Sequence, residues 1–260
     1  MALAGGDKQH HILCGLGEVA RYVFLPGDPA RAEAIAGQFD DAQEIARNRE
    51  YVTFTGTYKG VLVSVTSTGI GCPSLAIAVE ELVRIGADTL IRVGTGGAMQ
   101  PDIMPGHLIV GTGAIRDEGT SRAYMPIEFP AVSDHQVAAS LARAAGQSGK
   151  PWHLGVIHSK DSFYGQKEPD RMPIAEQIKS QWRAWVQGGA LLSEMETATL
   201  FVLGSVLGVR TGSVCVAAAN DEHGVRLKPG EEHDEAIRSV VTCALEAVVD
   251  LESRTPGTTG

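Results

Sequence analysis

Short apolar runs, rich in β-branched residues, alternate along this chain with longer stretches whose apolar positions recur at helical spacing, and this alternation constrains the fold most. Tyr22-Val23-Phe24-Leu25 leads into a helix opening at Asp28, and Leu62-Val63-Ser64-Val65 into a helix over 73–85. Thr89-Leu90-Ile91-Arg92-Val93 and His107-Leu108-Ile109-Val110 precede a helix near 136–146. Strands at 154–157, 190–192 and 213–216 then alternate with helices over 196–207 and 232–251. Chains built this way pack helices on both faces of a sheet, with ligands beyond the carboxyl ends of the strands. The expectation is an α/β protein whose chemistry lies in the loops following those strands.

Composition narrows the partners. With 260 residues, 43% hydrophobic, the chain can bury one sizeable core, so one domain is expected over 1–252, followed by a polar tail, SRTPGTTG, over 253–260. A net charge of -9 with scattered basic residues argues against nucleic acid as the main partner, although a few local arginines can still hold a small anion. Cys14, Cys72, Cys215 and Cys243 form no CxxC pair and read as reduced thiols. The first residues lack a signal-peptide core and no later run reaches membrane-span length, so a cytoplasmic protein without a membrane partner is expected. The absence of HExxH, clustered His and Cys, GxSxG and a Walker sequence removes zinc hydrolysis, serine hydrolysis and P-loop chemistry.

Three loops carry candidate chemistry. In LPGDPARAEAIA a strand ends at Leu25, Gly27 turns the chain, Asp28 caps a helix with Pro29 in its first turn, and Arg31 lies one turn in. Backbone N–H groups and a guanidinium at a helix start can hold an anion; the alternative is an ordinary capped helix with a solvated arginine. In IRVGTGGAMQ, Arg92 sits within an apolar strand before Gly94, Thr95, Gly96 and Gly97, and a buried arginine requires a partner, whether a ligand or a structural carboxylate. In LLSEMETATLF, Glu194, Met195 and Glu196 fall where a strand gives way to a helix. A carboxylate there can accept from two sugar hydroxyls while Met195 covers the ring, or the pair can be a helix cap beside a core methionine.

Together with RYVFLPGDPAR, NREYVTFTGTYKG, VTSTGIGCPSLAIAVEELVRIGA, MPIEFPAV and KDSFYGQ, these motifs resemble the nucleoside phosphorylase family from about His11 to Leu251, most closely its uridine phosphorylases. The resemblance implies a three-layer α/β/α fold and phosphorolysis of an N-glycosidic bond to ribose 1-phosphate and free base. Phosphate is then a co-substrate, and no organic cofactor or covalent intermediate is expected. A hydrolytic nucleosidase of the same fold and a non-catalytic nucleoside-binding protein are the alternatives.

The same resemblance places phosphate on Gly27, Arg31, Arg92 and Thr95, with Arg49 from an adjoining subunit. Ribose would meet Met195 and Glu196, with His11, or its neighbour His10, reaching across from the partner. The base would meet Phe163, Gln166 and Gly96. The arginine that follows this glutamine by two residues in the family is missing; Lys167 and Glu168 stand there, leaving Lys167 or Arg171 as substitutes. Asp221 occupies a loop in which purine-cleaving relatives carry a protonating aspartate, so Arg92, Glu196 and Asp221 are the catalytic candidates, and pyrimidine and purine both remain open. The resemblance also implies a homodimer with shared sites, usually built into a hexamer, and a monovalent cation such as K+ at the dimer contact on Glu50, Ile70 and Ser74.

Overall fold

The computed structural model describes residues 8–254. Its elements run β1 (Tyr22–Leu25), α1 (Pro29–Ala36), β2 (Asp40–Asn48), β3 (Tyr51–Tyr58), β4 (Val61–Thr66), α2 (Cys72–Arg84), β5 (Thr89–Ala98), β6 (Leu108–Asp117) and β7 (Ala131–Val132). There follow α3 (His135–Gln147), β8 (Trp152–Lys160), α4 (Phe163–Lys167), α5 (Ala175–Gln187), β9 (Leu192–Glu194), α6 (Thr197–Leu207), β10 (Arg210–Asn220), β11 (Val225–Arg226) and α7 (Glu231–Arg254).

Successive residues of a strand face opposite ways, and β1 uses both faces. Tyr22 and Phe24 pack with α1, α3 and α7 in one core, whereas Val23 and Leu25 pack with α2 and α6 in another. Full burial of a side chain such as Leu25 contributes about 1.5–3 kcal/mol, so helix layers on both faces are what this pattern stabilises best. This is the expected α/β/α arrangement.

The middle layer is mixed and partly closed. β1 lies between β4 and β5, parallel to both, which sets Leu25 beside Arg92. β5 also pairs with β10 and β9, β10 with β6, β6 with β8 and β8 with β9, so these five strands form a ring from which β1, β4, β3 and β2 extend. Register shifts in β10 between Ala217 and Ala219, and against β8 between Gly111 and Gly113, give the bends that closure needs. Ile109, Ile157, Leu192 and Cys215 of these strands pack together with Ile103.

Two local expectations change. The strand at 190–192 begins instead at Leu192, because Ala190 and Leu191 lead out of α5. The last helix continues through Ser253 and Arg254, which had been given to the tail; the rest of that tail, 255–260, lies outside the described residues. Among the described residues no helix is long and apolar enough to cross a membrane.

Candidate active site

Beyond the carboxyl ends of β1, β5, β8 and β9 lies a cavity of about 710 Å³. Its first wall is built where β1 stops. Gly27 passes so close to the neighbouring loop that a Cβ there would stand 2.9 Å from the Gly69 carbonyl oxygen, and only glycine fits. Asp28 accepts the Ala30 N–H at 2.9 Å and starts α1, with Pro29 as its first residue. Arg31 then faces the cavity beside Arg92 and Thr95.

Arg92 is 5% exposed on β5. Its Nε lies 2.6 Å from Glu194 Oε2, near enough for charge pairing although misaligned for a hydrogen bond, and its Nη2 pairs with Glu196. Nη1 is buried and, among the described residues, has no hydrogen-bond partner. Burial opposes the charge of Arg92, but Glu196 and Glu194 outweigh it and raise its pKa. Arg31 has its pKa lowered, first by burial and then by Arg92. Two guanidiniums that repel each other and a buried N–H without an acceptor make a seat for a compact anion.

Beside that seat, Glu194 and Glu196 divide the work. Glu194 accepts from Ser159 Oγ and from the backbone N–H groups of Glu196 and Thr197 at 2.9 and 3.0 Å, so it caps the start of α6 while holding Arg92. Burial opposes ionisation of Glu194, but Arg92 and these donors prevail and lower its pKa. Glu196 accepts from the Gly71 N–H at 2.5 Å, and its pKa is raised by burial, with Glu194 adding and Arg92 opposing. The helix-cap alternative is thus taken by Glu194, and Glu196 lines the cavity beside it. Met195 lines the cavity between them.

The opposite wall carries Phe163 and Gln166 from α4, with Gly96 close by. Lys160 and Ser193, which also line the cavity, were not among the expected residues. Lys160, at the end of β8, is 8% exposed and lines the cavity, and its Nζ donates to Ser193 Oγ at 2.6 Å. Burial pushes its pKa down to about 8, against the pull of Glu194. The signal was present in KDSFYGQ: continuing the strand from 154–157 by three residues brings Lys160 to its carboxyl end.

The remaining candidates are placed differently. Arg171 does not line the cavity; it is exposed on the following turn and pairs with Glu168. Lys167 pairs with Asp221 at 2.6 Å, tying the loop after β8 to the loop after β10 at the cavity mouth. Arg49, exposed at the β2–β3 turn with φ 54°, and His11, whose Nδ1 lies 2.7 Å from Glu81 Oε1, are both outside the cavity of their own chain. They neighbour one another, since Asn48 Nδ2 donates to the His11 carbonyl at 2.7 Å. Glu50 and Ser74 converge on Gly69, where a Cβ would meet Glu50 Cγ at 2.9 Å and Ser74 Oγ at 3.1 Å, and the adjacent Ile70 is 79% exposed.

One cleft thus gathers two arginines, two buried carboxylates and an aromatic ring, an arrangement able to bring a small anion to a second, ring-bearing molecule. The chain belongs to the phosphorylase superfamily, whose family model matches residues 21–251. It is 49% identical over 243 residues to a uridine phosphorylase of Treponema pallidum, covering 93% of each chain. It is 41% identical over 213 residues to a guanosine phosphorylase of Halorubrum lacusprofundi, covering 82% of this chain and 84% of that one. Among solved structures, the uridine phosphorylase of Vibrio fischeri superposes with a TM-score of 0.86 at 34% identity, covering 95% of this chain and 99% of that one.

Proposed function

We propose that the protein cleaves uridine with inorganic phosphate, giving ribose 1-phosphate and uracil. The observation that carries this is the Arg31–Arg92 seat, with its buried, unpartnered Nη1, set across one cavity from Phe163, Gln166 and Lys160. Phosphate held by the arginines and Thr95 is placed to attack C1′ while Glu196 accepts from the ribose hydroxyls. As the glycosidic bond breaks, positive charge develops on the sugar and negative charge on the base. A group is catalytic only to the extent that it favours that state over the neutral nucleoside.

Lys160 supplies what the missing arginine would. Its ammonium, in a largely buried position, steadies the departing uracil anion, while Phe163 stacks on the ring and the Gln166 amide reads its edge. Asp221 is over half exposed and salt-bridged to Lys167, and a carboxylate so paired acts as an acceptor. This favours the pyrimidine over the purine reading, in which Asp221 would protonate the leaving base. The guanosine phosphorylase relative keeps the purine reading as the second one.

The same reading takes the protein as a cytoplasmic homo-oligomer, a dimer at least and a hexamer by the family pattern, each subunit contributing one domain. The adjacency of Arg49 and His11 outside their own cavity supports their reaching a neighbour's site, and Glu50, Ile70 and Ser74 are the candidates for a K+ site at that contact. The test is turnover of uridine, thymidine, inosine and guanosine with and without phosphate. Phosphate-dependent uridine cleavage is expected; undiminished turnover in phosphate-free buffer, or strong purine with negligible pyrimidine turnover, would refute it.

A further inference from the structure

The parallel pairing of β8 with β9 sets His158 opposite Ser193. His158 is 1% exposed, does not line the cavity, and packs against the rings of Trp182 and Trp185 from α5. Its Nδ1 lies 2.9 Å from Ser193 Oγ and its Nε2 3.2 Å from Asp117 Oδ2. Ser193 Oγ is also 2.6 Å from Lys160 Nζ and 2.9 Å from Gln166 Oε1. Four polar groups are thus strung together, from Asp117 at one end to the base-reading amide at the other.

Counting protons fixes the direction of this string. A hydroxyl has one proton to donate and two lone pairs, and the Lys160 ammonium takes one of the lone pairs. Ionised Asp117 only accepts, so the single proton of a neutral His158 sits on Nε2 and leaves Nδ1 bare. Ser193 must then donate to His158, so the Gln166 amide, which stands with Oε1 toward Ser193, turns over and lets the remaining lone pair of Ser193 accept from its NH2. The amide, whose two ends exchange by a half-turn, places its NH2 toward Ser193 and its oxygen toward the base. With a doubly protonated His158 every step reverses, and the NH2 faces the base.

We infer that His158 is a positioning residue that sets, through Ser193, which end of the Gln166 amide meets the base, and so favours a base whose ring nitrogen carries a proton, as N3 of uracil does, over one whose ring nitrogen is bare, as in cytosine. This rests on the uridine reading of the cavity. The charged groups facing His158 are Asp117 from β6, Lys160 from its own strand and Glu194 from β9. Burial lowers its pKa, with Lys160 adding and the two carboxylates opposing, so the neutral form and the uracil-reading amide prevail at neutral pH.

The test is the pair of inhibition constants of free uracil and free cytosine against uridine phosphorolysis at pH 7.5, for wild type, His158→Asn, His158→Leu and Ser193→Ala, with a melting curve for each. Asparagine offers an amide oxygen near the place of Nδ1, leucine offers nothing, and Ser193→Ala removes the relay while sparing His158. The preference for uracil is expected to hold in His158→Asn and to fall about tenfold in the other two, the scale of one hydrogen bond turned from matched to opposed. A merely structural role would weaken both bases alike. An unchanged preference in His158→Leu and Ser193→Ala overturns the inference, as does its equal loss in His158→Asn. If the leucine variant does not fold, the asparagine and alanine variants decide. Wild type that cannot phosphorolyse uridine overturns the uridine reading itself, and this inference with it.

Discussion

Replacing Arg92 by alanine removes one side chain that serves both the anion seat and the buried ion cluster, and the two losses are separable. Toward phosphate, a charge-assisted contact contributes about 1.5–3 kcal/mol, so the phosphate KM should rise roughly 10- to 150-fold. Toward folding, the change leaves Glu194 and Glu196 buried without their common cation, and breaking such a cluster costs about 3–5 kcal/mol. The pH dependence follows from the signs. In wild type the lowered pKa of Glu194 contributes stability above its unfolded value, lost as pH falls through the folded one. In the variant, burial raises the pKa of both carboxylates, the folded state binds more protons than the unfolded, and stability should fall as pH rises through the carboxylate range. The stability deficit is therefore largest near neutral pH and shrinks toward pH 5. Initial rates against phosphate at saturating uridine, with urea unfolding at pH 5 and pH 7.5, read both effects. A folded variant with an unchanged phosphate dependence would take Arg92 out of the seat, and a deficit that grows on acidification would refute the charge argument.

Lys160→Met should lower kcat for uridine and leave the phosphate KM nearly unchanged. In wild type the rate should decline above about pH 8 as the ammonium loses its proton, a limb absent from the variant; a shared alkaline limb would assign it elsewhere. Because the pKa of Lys160 is depressed on folding, wild-type stability should rise with pH from about 8 to the free-lysine value and that of Lys160→Met should not, which paired unfolding curves would read. Gly27→Ala forces a Cβ against the Gly69 carbonyl and should lower stability by about 1–3 kcal/mol while weakening phosphate use; normal phosphate kinetics would mean the loop yields freely. Arg49→Ala and Glu196→Ala, each inactive alone, should regain activity when their subunits are mixed, and failure after demonstrated exchange would argue against shared sites.

What could be read in advance was what lies close together in sequence. LPGDPAR holds a strand end, a turn, a cap and an arginine within seven residues, and in the structure β1 ends at Leu25, Asp28 caps α1 and Arg31 lines the cavity. The strand β2, DDAQEIARN, escaped because it is polar and exposed along much of its length, leaving no apolar alternation to detect. The helix α5 escaped because none of its residues is fully buried, although Trp182 and Trp185 pack on His158. Ser193 could not be foreseen as a hub, since its role depends on β8 and β9 lying in register, which is decided by closure of the ring. Of the two substitutes expected for the missing arginine, Lys167 lines the cavity and Arg171 does not, and Lys160, upstream of both, lines it as well.

The two halves of the cleft hang on different parts of the sheet. The Arg31–Arg92 side is built on β1, α1 and β5, where Glu194 and Glu196 hold Arg92 and close backbone approach fixes Gly27, whereas the Phe163–Gln166 side is built on the end of β8 and the short helix after it. Substitutions at 163, 166 and 167, on that helix, can therefore accumulate without touching the carboxylates that hold Arg92. A scaffold partitioned in this way can change the molecule it recognises in small steps while every intermediate keeps its chemistry, and relatives named for a pyrimidine and for a purine nucleoside are what such a history would leave.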